Sequence, residues 1–219
     1  MLLVNLGCGP NLFPGWLNVD RVSNSHYIQC LRESDSFEGW PSEQRRLGEY
    51  LKGGGFIEEA IHDLREPLPT ETDSVDAIYL GQVIEHLNPI VEVPPLLSEC
   101  HRVLKPGAPI RLTTPDIERI LSHYVSDTME VFSAEQPEYY RGATKSMQLS
   151  YLLYGATGPD CTRDNYEGHF VCFDIESLSK LLMEAGFQDV AECREPRSSL
   201  YEGTVDYGMS HSMALEAVA

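Results

Sequence analysis

The feature that most constrains the fold is the start of the chain, where one apolar run leads through a glycine loop almost directly into another. The run MLLVNL ends at Gly7, as is typical of a strand buried on both faces. The loop GCGPN follows, and a second run, WLNVD, closes on Asp20. A strand, a glycine turn and a strand-end acid this close together predict a ligand site at the edge of a parallel sheet.

Strand-like and helix-like segments alternate along much of the remaining chain. Further strands are predicted in FIEEAIHDL, VDAIYL, APIRLTTP and the tail YGMSHSMALEAVA. Helices are predicted in WPSEQRRLGEYLKGGG, PPLLSECHRVLKPG and FDIESLSKLLMEAG, the last followed by the strand-like FQDV. In the last two, apolar residues recur at helical spacing before a terminating glycine. The alternation predicts an α/β fold whose sheet is mostly parallel and covered on both faces.

Residues 116–168 interrupt this alternation. They contain the helical patches DIERILSHYV and KSMQLSYLLYG but no convincing strand. Insertions of this length after a sheet strand often cap the ligand crevice, although aromatic side chains at helical spacing also simply pack in a core. We therefore expect one domain, 1–219, with 116–168 as a helical cap. Five tyrosines concentrate in this segment: Tyr139, Tyr140, Tyr151, Tyr154 and Tyr166.

Composition narrows the choice of partners. The 219 residues include 16 Lys and Arg against 34 Asp and Glu, a net charge of −18. This charge repels phosphate backbones and anionic membranes, so neither nucleic acid nor a membrane is an expected partner. The six cysteines lack paired or zinc-like spacing, and no signal-like segment begins the chain. Reduced thiols and a cytoplasmic location are therefore expected. A homodimer remains open.

The spacing of the first loop favours an adenosine ligand without phosphates. A dinucleotide site needs a third glycine and a helix N-terminus for the pyrophosphate, but Leu12 occupies the third glycine position and little room remains for a helix. Asp20 could accept hydrogen bonds from both ribose hydroxyls, and Asp63, at the end of the next strand, could accept from an exocyclic amine. NAD is therefore disfavoured.

The ordered set of segments LNLGCG, NVD, HDLREPLP, DSVDAIYLGQVIEHL, ECHRVLKPGAPIRLTTPD and LLMEAGFQDV resembles the class I S-adenosylmethionine-dependent methyltransferases. Within that family it is similar to the small single-domain group, of the methyltransferase type 11 kind. The resemblance implies a Rossmann-like three-layer sandwich with a seven-stranded sheet whose last strand is antiparallel. Asn5 stands where the family usually has an acid, Asn11 replaces a third glycine, and the first helix is reduced to a turn. The implied cofactor is S-adenosyl-L-methionine, and the implied cofactor-binding residues are Asn5, Gly7, Cys8, Gly9, Asp20, Asp63, Leu64 and Gln82.

Two histidines are candidates for the catalytic base, because imidazole exchanges protons near neutral pH. His86 falls one helical turn after Gln82 and is expected on the same helical face, although it could also only cap or pack the segment. His169 stands where the insertion rejoins the core, where it could equally be a turn residue. Asp116 is expected to cap the following helix. His86, His169 and a carboxylate could in principle bind a metal, but their spacing matches no short-range ligand motif, so a metal site is not predicted.

The sequence thus predicts a methyltransferase that acts on an O or N nucleophile of a small molecule such as a sugar or secondary metabolite. Two alternatives stay open. One is a non-catalytic domain that binds S-adenosylmethionine or adenosine as a regulator or subunit, and the other, less favoured, is an NAD-linked oxidoreductase.

Overall fold

The computed structural model describes residues 1–40, 42–128, 143–155, 168–194 and 211–219. Seven strands lie in this part of the chain: β1 (Leu3–Leu6), β2 (Leu17–Asp20), β3 (Glu58–Ile61), β4 (Ala77–Gly81), β5 (Pro109–Pro115), β6 (Gln188–Glu192) and β7 (Ser212–Val218). The helices described are α1 (Ser25–Glu33), α2 (Ser42–Lys52), α3 (Val93–Val103), α4 (Ile117–Ser126), α5 (Lys145–Tyr154) and α6 (Ile175–Glu184). A single 3₁₀ turn, Ile84–His86, follows β4.

The strands form one sheet in the order β3-β2-β1-β4-β5-β7-β6. Neighbouring strands from β3 to β5 pair in parallel, whereas β7 pairs antiparallel with both β5 and β6. This confirms the predicted seven-stranded α/β sheet with its last strand antiparallel. Because parallel strands share a direction, the carboxyl ends of β1 to β5 lie along one edge of the sheet.

The core lies where the central strands pack against α3 and α6. The buried face of α3 comprises Val93, Leu96, Leu97, Cys100 and Val103, which recur at the spacing the sequence predicted. The strand β4 is buried over four of its five residues, consistent with its position in the middle of the sheet. Burial on both faces explains why the central strands are continuous apolar runs.

The strand β3 forms one edge of the sheet, which explains its two glutamates. Glu58 is exposed, and the carboxylate of Glu59 accepts a hydrogen bond from the amide of Asn24 at 2.8 Å. An edge strand with charged side chains resists unwanted pairing with other chains.

Two helices, rather than the one predicted, join β2 to β3. The first, α1, buries Ile28 and Leu31, and its N-terminal Asn24 makes no side-chain capping bond. A helix with two buried apolar residues and no cap gives a weak periodic signal, so the sequence did not single it out. Pro41, expected in the first turn of α2, lies outside the described residues.

Part of the insertion is described. The helices α4 and α5 lie close together: the ammonium of Lys145 is 3.0 Å from the carboxylate of Asp127 and 4.5 Å from the ring centre of Tyr124. Tyr151 and Tyr154 belong to α5, whereas Tyr139, Tyr140 and Tyr166 lie outside the described residues. Whether the segment closes over a ligand stays a prediction.

Candidate functional site

A cavity of about 460 Å³ opens at the carboxyl ends of β1 to β4. This volume lies within the range of small-molecule sites, and its position is where open α/β sheets bind ligands. Six of the residues predicted to form the site line it: Gly7, Asp20, Asp63, Leu64, Gln82 and His86.

The glycine loop approaches the β4 side of the cavity closely. Gly7 has a φ of +65°, and a Cβ at this position would lie 2.5 Å from Cγ2 of Val83. The amides of Gly7 and Cys8 both donate to the carbonyl of Val19, at 2.8 and 3.1 Å. The third amide of the loop, that of Gly9, donates to a carboxylate oxygen of Asp20 at 2.8 Å. The loop amides are thus already engaged within the chain.

The carboxylate of Asp20 contacts both the glycine loop and the backbone that follows β2. One carboxylate oxygen holds Gly9, and the other lies 3.3 Å from the amide of Val22. Since a carboxylate has about four lone-pair sites, acceptor capacity remains for a ligand hydroxyl.

Asn5, Cys8 and Gly9 are not among the residues that line the cavity. The Asn5 side chain is buried and donates to the carbonyl of Asn11 at 2.8 Å and to the side chain of Asn18 at 3.0 Å, which holds the loop from beneath. Cys8 packs in the apolar cluster around α1, and burial raises the pKa of its thiol to about 12. In the structure these residues stabilise the glycine loop. Their direct contact with a cofactor stays a prediction.

The Asp63 carboxylate faces the cavity with a partner already in place. The guanidinium and the amide of Arg65 both donate to it, and the guanidinium hydrogen bonds hold the pKa of Asp63 well below its usual range. Asp63 is therefore ionised and can act toward a ligand only as an acceptor.

His86 and Gln82 both line the cavity, but they do not share a helical face, as was wrongly predicted from their spacing. The 3₁₀ turn starts only at Ile84, and Gln82 has a φ of +58°, so no helix joins the two residues. The backbone amide of Gln82 donates to the carbonyl of Thr113 at 2.8 Å, and its side-chain amide donates to the hydroxyl of Ser212 at 3.2 Å. A non-glycine residue held in the left-handed region is a form of strain that concentrates at functional sites.

His169 does not line the cavity, but its neighbours Gly168 and Phe170 do. Two backbone bonds fix this segment: the amide of His169 donates to Tyr154 at the end of α5, and that of Phe170 donates to Glu85. The rings of His86 and His169 meet edge to face with their centres 4.9 Å apart. The insertion therefore brings the two predicted histidines together.

Glu85 completes this group, and the sequence analysis missed it. One oxygen atom of Glu85 and one nitrogen atom from each of His86 and His169 lie within 4.8 Å of one another. The Glu85 side chain is fully buried and accepts a hydrogen bond from the hydroxyl of Thr114 at 3.1 Å. The local signal was the adjacent pair Glu85-His86. Adjacent residues rarely share a face, and only the return of the chain at residue 169 joins them.

Burial governs the ionisation of this group. It raises the pKa of Glu85 to about 7, and the hydrogen bond from Thr114 opposes the rise only in part. Burial, reinforced by the neighbouring His86, lowers the pKa of His169 to about 4. Both shifts favour the neutral form, as expected for groups withdrawn from water.

Asp116 has the structural role that the sequence predicted. Its carboxylate accepts from the amides of Glu118 and Arg119 at the start of α4 and pairs with the Arg119 guanidinium at 3.0 Å. Capping accounts for its position after β5.

None of the helices in the described ranges has the length and apolar character needed to cross a bilayer.

Residues 4–112, about half of the chain, match a family model described as a methyltransferase domain. The comparison with curated proteins found no match.

Solved structures agree in fold. A S-adenosylmethionine-dependent methyltransferase from Mesorhizobium loti is 14% identical, with 100% of this chain and 90% of that chain covered and a TM-score of 0.51. A complex of the Haloferax volcanii Trm112 methyltransferase activator and a putative methyltransferase is 13% identical, covering 100% and 82%, with a TM-score of 0.51. The CurJ carbon methyltransferase is 16% identical, covering 100% of this chain but only 48% of that one, with a TM-score of 0.52. The chain belongs to the class I methyltransferase family, whose cofactor is S-adenosylmethionine.

Proposed function

We propose that this protein transfers the methyl group of S-adenosylmethionine to an oxygen or nitrogen atom of a small molecule. The observation that carries the proposal is a single cavity lined by the strand-end acids Asp20 and Asp63 and, beyond β4, by His86. The acids suit the hydroxyl and amine groups of adenosine, and the imidazole suits the proton that a methyl acceptor loses.

The state of the glycine loop supports this cofactor over a dinucleotide. A pyrophosphate is bound by amide groups that point toward it from a loop or a helix N-terminus. Here the amides of Gly7, Cys8 and Gly9 are directed to Val19 and Asp20, and no helix follows the loop before β2. A sulfonium with a ribose needs acceptors, which Asp20 supplies.

The methyl transfer itself requires alignment and removal of one proton. In the reaction, a lone pair of the acceptor attacks the methyl carbon, and the electrons of the broken C–S bond remain on sulfur. Alignment lowers the barrier by roughly 7–11 kcal/mol at best. His86 is exposed in the cavity and can take the proton, whereas His169, with a pKa of about 4, is a weak base.

The volume and the charge of the molecule support a small acceptor. A cavity of about 460 Å³ holds a ligand of modest size, and a net charge of −18 disfavours a nucleic acid. We propose that residues 116–168 form a cap over the acceptor. The support for this cap is that the backbone amides of His169 and Phe170 donate to the carbonyls of Tyr154, at the end of α5, and of Glu85. A sugar or a secondary metabolite in the cytoplasm fits this proposal.

Binding of S-adenosylhomocysteine tests the cofactor site. At about 100 times its dissociation constant, the ligand should stabilise the protein by about 2.7 kcal/mol and raise the melting temperature accordingly. NAD at the same concentration should leave the melting temperature unchanged. A shift with NAD and none with S-adenosylhomocysteine would contradict the proposal.

Turnover then separates an enzyme from a binding module. The protein is incubated with isotopically labelled S-adenosylmethionine and a panel of hydroxyl and amine acceptors, and product is measured by mass spectrometry. A methylated product supports the proposal. Tight cofactor binding without any product across the panel would favour the non-catalytic regulator.

A further inference from the structure

The two atoms that carry this inference are buried polar atoms without a protein partner. Among the residues that the structure describes, four buried side-chain atoms have no hydrogen-bond partner, and two of them are Oε1 of Glu85 and Nδ1 of His169. An unsatisfied buried polar atom destabilises the folded state, because it has lost its hydrogen bonds to water without replacement. Two such atoms in one cluster therefore call for an additional binding partner.

We propose that Glu85, His86 and His169 bind one divalent transition-metal ion, of the Zn²⁺ or Mn²⁺ class, at the wall of the cavity. The three candidate ligand atoms already lie within 4.8 Å of one another. Ligands at 2.0–2.1 Å from a tetrahedral ion lie about 3.4 Å apart, so closure by roughly an ångström is needed. His86 is the exposed member of the group, and we expect the closure to come mainly from its side chain.

The surroundings of His169 and Glu85 suit metal ligation. The backbone of Leu152 and Leu153, near the end of α5, acts on the His169 ring in the direction that raises its pKa, as a backbone acceptor beside the ring does, and Nδ1 of the ring has no partner. A ligating histidine characteristically donates its second nitrogen to such an acceptor, which fixes the tautomer and directs the lone pair to the metal. The Thr114 hydroxyl orients the other oxygen of Glu85 in the same way.

The donor set also identifies the class of ion. Two imidazoles and one carboxylate disfavour Mg²⁺ and Ca²⁺, which prefer oxygen ligands, and match sites for first-row transition metals. Three protein ligands leave at least one position open, as catalytic rather than structural sites do. Because His86, Gly168 and Phe170 line the cavity, we expect the open coordination position of the ion to face the methyl acceptor.

The role of the ion, unlike its binding, rests on the proposed function. An acceptor hydroxyl bound to the ion would lose its proton to water more readily, and its oxygen lone pair would then attack the methyl carbon while the C–S electrons stay on sulfur. His86 would act as a ligand rather than as the base. A metal-bound acceptor of this kind is an alcohol, and a diol would provide a second oxygen atom to the ion.

Metal binding without cofactor tests the site independently of methyl transfer. The full chain is stripped with a chelator, and ZnCl₂, MnCl₂ and MgCl₂ are titrated calorimetrically, with bound metal counted by mass spectrometry after dialysis. We expect one equivalent of Zn²⁺ or Mn²⁺ and weaker binding of Mg²⁺. The variants Glu85→Gln, His86→Ala and His169→Gln should each weaken binding by about 100-fold or more.

The matched control is a second histidine pair. The rings of His123 and His211 also meet edge to face, with centres 5.2 Å apart, but this pair belongs to no three-ligand group among the described residues. His123→Gln should therefore keep the metal. Because His86 is exposed, His86→Ala should fold even if a buried variant does not. Stoichiometric binding that survives His86→Ala, equal loss in His123→Gln, or no bound equivalent in the wild type would each overturn the site. Absence of methyl transfer by a protein that binds metal would instead contradict the proposed function.

Discussion

The carboxylate of Asp20 contributes both to the shape of the loop and to its proposed ligand. We predict that Asp20→Ala weakens S-adenosylhomocysteine binding by about 1.5–3 kcal/mol, the range for hydrogen bonds to a charged group, which is roughly 10- to 150-fold in the dissociation constant. Asp20→Asn should lose less, because its amide oxygen can still accept from Gly9. Calorimetric titration measures both. Asp35→Ala, at an exposed position after α1, removes the same charge and should have little effect. An unchanged affinity in Asp20→Ala would mean that the ribose is bound elsewhere.

His86 is the residue at which chemistry and cofactor binding should separate. We predict that His86→Gln lowers kcat by roughly 100-fold or more in either role of this residue, because a positioned base contributes about 10²–10⁴-fold and loss of a ligand would remove the proposed ion from the site. The affinity for S-adenosylhomocysteine should change little, since Asp20 ends β2 and Asp63 follows β3, whereas His86 lies in the turn after β4. His62→Gln is a matched control, because His62 also lines the cavity but beside Asp63. Near-normal turnover in His86→Gln would remove this residue from the mechanism.

At the scale of elements, the contact between the loop after β1 and the segment after β4 limits what Gly7 can become. Gly7→Ala would place a methyl group 2.5 Å from Val83, and it would also strain the positive φ. Gly15 has a φ of +79° with open space around it, so Gly15→Ala should cost only the strain, about 1–2 kcal/mol. We predict a further loss of about 1–3 kcal/mol for Gly7→Ala, from overpacking, together with weaker cofactor binding.

Urea unfolding of both variants measures this difference. The double change Gly7→Ala with Val83→Ala provides the control, since it removes the two contacts shorter than 3 Å, keeps the Cβ of residue 83 at 3.3 Å and leaves the φ strain. It should therefore recover part of the loss in cofactor affinity. Equal effects of Gly7→Ala and Gly15→Ala would show that the loop and the Val83 segment can separate without cost.

The sequence predicted those parts of the architecture whose signals lie within a few residues, and it did not predict contacts between distant residues. The strand β1 and the helices α3 and α6 follow from periodicity and caps within a few residues, and Asp174 caps α6 as expected. The Arg111–Glu216 ion pair, 2.7 Å and buried between β5 and β7, joins residues 105 positions apart. No local pattern indicates such a pair. The same holds for Glu85 and His169, which meet only because the insertion returns to the 3₁₀ turn.

Protons act on the stability of the folded protein in two opposing directions. A net charge of −18 destabilises the compact state by self-repulsion, and protonation of carboxylates at lower pH relieves it. The partly buried histidines act in the opposite direction. Burial, with a smaller contribution from His123, lowers the pKa of His211, so the unfolded chain takes up its proton at a higher pH than the folded chain does. Stability from this group is present above the unfolded value of about 6.5 and is lost as the pH falls through the folded pKa.

We therefore predict that His211→Gln is relatively more stable at pH 5.5 than at pH 7.5, when its free energy of unfolding is compared with that of the wild type at each pH. Using the difference between the two proteins cancels the self-repulsion of the remaining charges, which both share. The slope of this difference is limited to about 1.4 kcal/mol per pH unit for one proton. Urea unfolding with a chelator present provides the measurement and keeps any metal at Glu85, His86 and His169 from contributing. His26→Gln, at an exposed position in α1, serves as the control and should show no such trend. If the difference between wild type and His211→Gln is the same at both pH values, the proton does not distinguish the folded from the unfolded environment of His211.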